Sequence, residues 1–81
     1  MNNYLNISDS LVAALARKQS AWNDSDVPYD EISYILRHSA ISDFTRGYLY
    51  GRLDDMDLKY EEKDLFNAFY GMVIGLSLTE Q

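Results

Sequence analysis

The chain has 81 residues and no cysteine, and its thirteen Asp and Glu against seven Lys and Arg give a net charge of −6. This length leaves room for one domain, and the lack of cysteine excludes disulfides and thiolate metal sites. The acidic balance argues against direct binding to nucleic acid or to an anionic membrane, because phosphate binding depends on Lys and Arg.

The first predicted helix begins at Tyr4 or Ser8 and ends at Trp22. Its apolar residues recur three or four positions apart, as they do on one face of a helix. These residues are Tyr4, Ile7, Leu11, Ala14, Leu15 and Trp22. The turn-forming residues that follow, at positions 23–28, predict a loop.

The second predicted helix begins at Pro28, which suits a first turn. Asp30 and Glu31 follow in the same turn and complement the helix dipole. Ile32 and Ile35 are β-branched and would also suit a strand. However, Ile32 and Leu36 pair at i,i+4, and no neighbouring segment offers a partner strand. The pattern therefore favours a helix that ends near residues 38–39.

Ser42 followed by Asp43 predicts the start of a third helix, with Ser42 as its N-cap. This helix extends into the charged run from Asp54 to Lys59. Its expected apolar stripe consists of Phe44, Tyr48, Leu49, Leu53 and Met56.

The fourth predicted helix begins between Tyr60 and Glu62, continues to about Leu78 and has two apolar faces. Such a helix either lies at the centre of its domain or forms half of a subunit interface. One face consists of Leu65, Phe69, Met72, Val73 and Leu76, and the other of Phe66, Tyr70 and Ile74.

The four segments predict an all-α fold over a single domain at residues 1–81, either a small four-helix bundle or an orthogonal helical array. The apolar stretch at 65–78 is shorter than the roughly 20 residues that span a bilayer. The segment MNNYLNISDS lacks the basic and apolar parts of a secretory signal. We therefore expect a soluble cytoplasmic protein that does not contact a membrane.

Two pairs of glycines stand four residues apart within predicted helices. Each glycine weakens its helix by about 1 kcal/mol relative to alanine, whereas a glycine stripe lets two helix backbones approach closely. We interpret the stripes as the contact between the third and fourth helices, with contact to a second copy of the chain as the alternative. The residues assigned to helix packing or to a dimer are Gly47, Gly51, Gly71, Gly75, Phe66, Tyr70 and Ile74.

Acidic residues form two clusters in the sequence. Such clusters are commonly solvated helix ends, but they also suit a patch that faces a basic partner, where complementary charge speeds association. The second cluster has six carboxylates within eleven residues, a density that suggests imitation of nucleic-acid phosphates. The first cluster is Asp24, Asp26, Asp30 and Glu31, and the second is Asp54, Asp55, Asp57, Glu61, Glu62 and Asp64.

The chain also has seven tyrosines, a residue type that suits both protein interfaces and half-buried positions. Tyr29, Tyr50 and Tyr60 lie nearest the acidic clusters and are the candidates for a contact surface. The alternative is that they border a small core.

Residues suited to catalysis are scarce. The single histidine, His38, follows Arg37 at a predicted helix end, where it is better placed to interact with the helix dipole than to act as a general base. There is no cysteine to pair with it and no glycine loop suited to phosphate binding. Neither acidic cluster has the glycine and glutamate spacing of a calcium loop. We expect a protein that is not an enzyme and needs no metal or cofactor.

In size, acidity and lack of catalytic residues, the chain resembles the small inhibitors that phages and mobile elements direct against host nucleic-acid enzymes, including anti-CRISPR and anti-restriction proteins. This compositional resemblance implies an inhibitor or regulator, of the DNA-mimic type, that docks on a basic surface of a protein partner. The alternative is a homo-oligomeric regulatory or structural protein that associates, as a dimer for example, through the apolar face of its last helix.

Overall fold

The part of the protein that the structure describes, residues 6–20 and 28–79 of a computed structural model, is built from helices. They are α1 (Asp9–Ser20), α2 (Pro28–Arg37), α3 (Asp43–Lys59) and α4 (Glu62–Thr79). The predicted all-α fold is confirmed. The ends that the sequence suggested for the first helix, Tyr4 and Trp22, lie outside the described residues.

Successive helices run in opposite directions, as side-chain contacts between their ends show. Gln19 near the end of α1 donates a hydrogen bond to Asn67 near the start of α4, at 3.1 Å. Tyr29 at the start of α2 donates one to Asp54 in the second half of α3. α3 and α4 contact each other across a short connection. The arrangement is an up-and-down four-helix bundle.

The centre of the bundle is the pair α2 and α4, because each contacts α1 and α3 as well as the other. α4 is therefore apolar on two faces because it lies at the centre of the domain. One continuous core joins all four helices. Its buried apolar residues are Leu11, Leu15, Ile32, Leu36, Ile41, Leu49, Leu53, Met56, Leu65, Phe66, Phe69 and Val73.

The buried stripe of α3 differs from the predicted one. Leu49, Leu53 and Met56 are buried, whereas Phe44 and Tyr48 remain 51% and 40% exposed and so lie outside the buried stripe. Thr45 is fully buried instead. Phe44 and Tyr48 each precede a buried residue by one position, and one position turns a side chain by about 100° around the helix.

Both predicted apolar faces of α4 take part in packing. On the second face Phe66 is buried in the core, Tyr70 is half-buried against it and Ile74 is half-buried, as the central position of α4 requires. Met72 and Leu76 pack against the rim of the core. Among the described helices, none is both long and apolar enough to cross a membrane.

The helical glycines face open space. A Cβ atom built on Gly47, Gly51, Gly71 or Gly75 would meet nothing within 4 Å. All four positions are exposed, on the sides of α3 and α4 that point away from the core. The interpretation that the glycine stripes form the contact between α3 and α4 is therefore wrong.

Replacing Gly71 and Gly75 with alanine should stabilise the protein. The two methyl groups enter open space, and each alanine removes a helix penalty of about 0.5–1 kcal/mol, so the free energy of unfolding should rise by about 1–2 kcal/mol. Urea unfolding followed by circular dichroism measures the change. The matching pair Gly47→Ala and Gly51→Ala in α3 should give a similar gain, and a loss in either pair would reveal a close contact at that stripe.

Arg46 holds the corner between α2 and α3. Its Nη1 donates to the carbonyls of Leu36 and Ser39, and its Nη2 donates to the carbonyl of Ile41 at 2.9 Å. These carbonyls lie at the end of α2 and in the loop behind it, where the helix itself supplies no donors. One guanidinium therefore satisfies several backbone acceptors that no single neutral side chain could reach.

Thr45 joins the start of α3 to the segment before α1. Its hydroxyl donates to Oδ1 of Asn6 at 2.7 Å and accepts from the backbone N–H of Asn6 at 2.8 Å. Ser42 is the N-cap of α3, as predicted, and its hydroxyl accepts from the N–H of Thr45 at 3.1 Å. These partners explain how a polar residue occupies a fully buried position.

Candidate protein-binding surface

Acidic residues that are distant in the sequence lie at one end of the bundle, where α3 ends and α2 and α4 begin. Tyr29 donates from its hydroxyl to Oδ1 of Asp54 at 2.6 Å, so the start of α2, which carries Asp30, lies against the second half of α3. We call this patch the acidic surface. It consists of the exposed residues Asp30, Asp54, Asp55, Asp57, Glu61 and Asp64.

Four other predicted members are not included in this surface. Asp24 and Asp26 lie outside the described residues, as does the side chain of Glu62. Glu31 is half-buried and forms an ion pair with Lys18 of α1, with 3.1 Å between Nζ and Oε1. The first cluster contains no base in the sequence, but the carboxylate of Glu31 is already paired with Lys18 of the same chain.

Two exposed apolar side chains lie among the carboxylates. Leu58 is 87% exposed and Tyr60 is 44% exposed. Tyr60 was a sequence-based candidate, whereas Leu58 was missed because it is embedded in a charged run. The available signal was its position two residues after Met56, since a buried Met56 turns Leu58 to the outward side of α3.

Tyr50 has a contact within the chain. Its hydroxyl donates to the backbone carbonyl of Ser33 at 3.1 Å and so links α3 to α2. The residue is half-buried against the core. A contact between Tyr50 and a partner stays a prediction.

The chemistry of the acidic surface is that of an acceptor for cations and hydrogen-bond donors. Among the described residues, no group of three His, Asp or Glu side chains is arranged to hold a metal ion. His38 lies just beyond the last turn of α2, at the opposite end of that helix from Asp30. The carboxylates are therefore suited to ion pairs with the Lys and Arg of another molecule.

The hydrogen bond to Asp54 is the main reason that the pKa of Tyr29 lies above its usual value of about 10, and burial and the charges of Asp54 and Asp57 raise it further. The folded state thus favours the neutral phenol that donates this bond. The resulting stabilisation is fully present below about pH 10, where the unfolded chain titrates, and is lost as the pH rises through the raised pKa.

Replacing Tyr29 with phenylalanine should therefore flatten the alkaline side of the stability profile. The wild-type protein should lose stability above about pH 10. Tyr29→Phe should be less stable than the wild type below that pH and should lose less stability above it, because it has no phenol to ionise at position 29. Urea unfolding from about pH 8 to pH 11 gives both profiles. Tyr34→Phe, at an exposed tyrosine of the same helix, is the control, and parallel wild-type and Tyr29→Phe profiles would contradict the assignment.

Exposed carboxylates and exposed apolar side chains thus lie close together in this part of the chain, a mixture of polar and apolar groups that is typical of protein interfaces. The apolar side chains are Leu58 and Tyr60. No protein-family model, curated protein or solved structure matches the chain.

Proposed function

We propose that the protein is a non-enzymatic inhibitor or regulator that docks its acidic surface on a basic surface of a protein partner. The observation that carries this proposal is the Tyr29–Asp54 hydrogen bond, which brings the start of α2, with Asp30, to the acidic residues of α3. Six exposed carboxylates at one end of a small bundle create a strong negative potential there. Among the described side chains of this region, Lys59 is an exposed base.

The charges and the apolar side chains have different tasks in this interface. Complementary charge raises the rate of encounter and selects the partner, and it contributes less to raw affinity. Affinity comes mainly from a few large side chains that become fully desolvated. Leu58 and Tyr60 are the residues of the acidic surface that can supply such burial.

The partner surface that best matches a dense array of carboxylates is one that normally binds nucleic-acid phosphates. Duplex DNA carries about one charge per 1.7 Å of its axis. Occupation of such a surface by this protein would exclude the nucleic acid and inhibit its enzyme. An inhibitor of the phage or mobile-element type acts in this way, and competition between the protein and DNA or RNA for one partner tests it.

The test compares two double variants of equal charge once a partner has been captured from the source organism. Asp55→Asn with Asp57→Asn removes two carboxylates from the acidic surface and spares Asp54, which accepts the hydrogen bond of Tyr29. Asp9→Asn with Asp43→Asn removes two exposed carboxylates at the other end of the bundle. The first pair should slow association about tenfold and the second pair much less, because steering depends on charge near the contact.

Salt and an apolar substitution complete this test. Association of the wild-type protein should slow as salt rises, because the Debye length is about 8–10 Å near physiological ionic strength. Leu58→Ser should mainly speed dissociation, because it removes an apolar contact and no charge. Equal effects of the two double variants, or binding that is insensitive to salt, would overturn the proposal.

The homo-oligomeric alternative retains one specific observation. The outward side of α4 exposes Gly71, Gly75 and Leu78, and no charged residue lies between Asp64 and Glu80. A second copy of the chain would cover this face. Light scattering decides the question, since a monomer at high concentration removes this alternative and a dimer makes the α4 face the primary interface.

A further inference from the structure

A groove of about 510 Å³ lies between α1 and α2, on a different part of the molecule from the acidic surface. Ala14 of α1 and Ile35 of α2 form its apolar middle, and Ile35 packs on the core. The rings of Tyr34 and His38 form a wall, with 4.3 Å between their centroids. The groove is open to solvent and mostly apolar in its lining.

The charges at this groove are opposite in sign to the charge of the whole chain. Arg17 and Lys18 line one end, and only Glu31, which pairs with Lys18, offers a carboxylate among the lining residues. Arg37 lies beside the groove, since its guanidinium lies over the ring of Tyr34, a lining residue, at 5.9 Å from the centroid. In a protein of net charge −6, the described lining of this groove therefore has more basic than acidic side chains, and a third base lies beside it.

The size of the groove and the spacing of its charges indicate its occupant. Along α1 the lining extends from Ser10 to Lys18, which is about 12 Å at 1.5 Å per residue, or two helical turns. The described side chains contain no buried polar atom without a partner, so none is held ready to orient a small polar ligand. An open apolar groove of this length suits the apolar face of a helix.

We propose that the groove between α1 and α2 binds an amphipathic helical segment of a partner protein, with acidic residues about two turns apart on either side of its apolar face. The apolar side chains would contact Ala14, Tyr34 and Ile35. The acidic residues would pair with Arg17 at one end and Arg37 at the other. This site is independent of the proposed role of the acidic surface.

The test uses synthetic helical peptides of about 15 residues, a length at which an isolated helix is marginally stable. The first carries leucines at i, i+3, i+4 and i+7 flanked by glutamates two turns apart. The second has the same leucines with lysine at both glutamate positions, and the third has the composition of the first with its glutamates moved to the opposite face. Two-dimensional NMR of the full chain maps where each peptide binds.

The first peptide should shift the amide signals of Ala14, Tyr34 and Ile35 and should bind about tenfold more tightly there than the other two. This result would run against the net charge of the chain, which favours the lysine peptide. If the lysine peptide shifts only the amide signals of Asp55, Asp57 and Glu61, it binds at the acidic surface and says nothing about the groove. The two proposals can therefore fail separately.

Two variants of equal charge change locate the interaction. Arg17→Glu should lower the affinity for the first peptide about tenfold. Arg52→Glu, at an exposed arginine of α3 outside the groove, should change this affinity less than about twofold. Arg17→Gln should weaken binding by a smaller factor, which guards against a folding defect in Arg17→Glu. The proposal is overturned if Arg17→Glu and Arg52→Glu have equal effects, or if the first peptide does not bind at about 1 mM. It is also overturned if octanoate, a fatty acid with no helical structure, shifts the same amide signals to the same extent as the first peptide.

Discussion

Replacing Arg46 with alanine should lower the free energy of unfolding by about 1.5–3 kcal/mol, the range for hydrogen bonds that involve a charged group. The guanidinium is largely sheltered, with 25% of the side chain exposed. Its loss removes this donor from the carbonyl of Ile41, and it leaves the carbonyls of Leu36 and Ser39 with the backbone N–H groups of Ser39 and Ile41, at 3.5 Å and 3.0 Å. The end of α2 and the loop to α3 should therefore open first, and hydrogen exchange should show loss of protection there.

Two substitutions separate this corner from a general effect of losing an arginine. Arg46→Lys keeps the charge but has no fork of donors, so it should recover only part of the stability. Arg52→Ala removes an exposed arginine from the same helix and should change the free energy of unfolding by less than about 0.5 kcal/mol. If Arg46→Ala and Arg52→Ala have equal effects, the corner does not depend on the guanidinium.

Much of the fold follows from local signals in the sequence. Ser42 as an N-cap and Pro28 in the first turn of α2 both mark helix starts, and the structure has helix starts at these places. Apolar spacing of three to four residues located the helices themselves. These signals act within a few residues along the chain, and for that reason they can be read without knowledge of the partners in space.

The errors arose where the orientation of a helix depends on residues distant in the chain. Phe44 and Tyr48 are large and apolar, yet Thr45 is buried because Asn6, 39 residues away, satisfies its hydroxyl. The glycine pairs share a helix face, but their spacing does not say whether that face meets a neighbour. A local sequence pattern describes the surface of one helix, whereas burial requires a second surface that packs against it.

The candidate site shows the same division. The acidic residues were evident from the sequence, but their convergence depends on the antiparallel approach of α2 and α3, which the Tyr29–Asp54 hydrogen bond reveals. The groove was not foreseen, because Arg17 is separated from Tyr34 and His38 by a loop, and these residues line one cavity only when α1 and α2 pair. Composition shows how much charge a chain has, whereas topology decides where the charge of each sign accumulates.

Replacing Thr45 with valine should lower the free energy of unfolding by about 1–3 kcal/mol, although valine has nearly the same shape. The hydroxyl both donates to and accepts from Asn6, and it accepts from the hydroxyl of Ser42. Valine would leave the backbone N–H of Asn6 and the hydroxyl of Ser42 without this acceptor, and Oδ1 of Asn6 would keep only the N–H of Ser42, at 2.8 Å. Urea unfolding gives the change, and Thr45→Ser, which keeps the hydroxyl, should lie nearer to the wild type.

A double-variant cycle with Asn6→Ala shows whether the lost stability belongs to this network. Thr45→Val removes both hydrogen bonds between Asn6 and Thr45, and Asn6→Ala removes the bond to Oδ1 of Asn6 but keeps the one from its backbone N–H, so the two substitutions share the loss of one bond. The double variant should therefore be less destabilised than the sum of the single variants, by about 0.5 kcal/mol or more. Additive effects would mean that Asn6 and Thr45 stabilise the protein separately, and that the segment before α1 is held to α3 by other contacts.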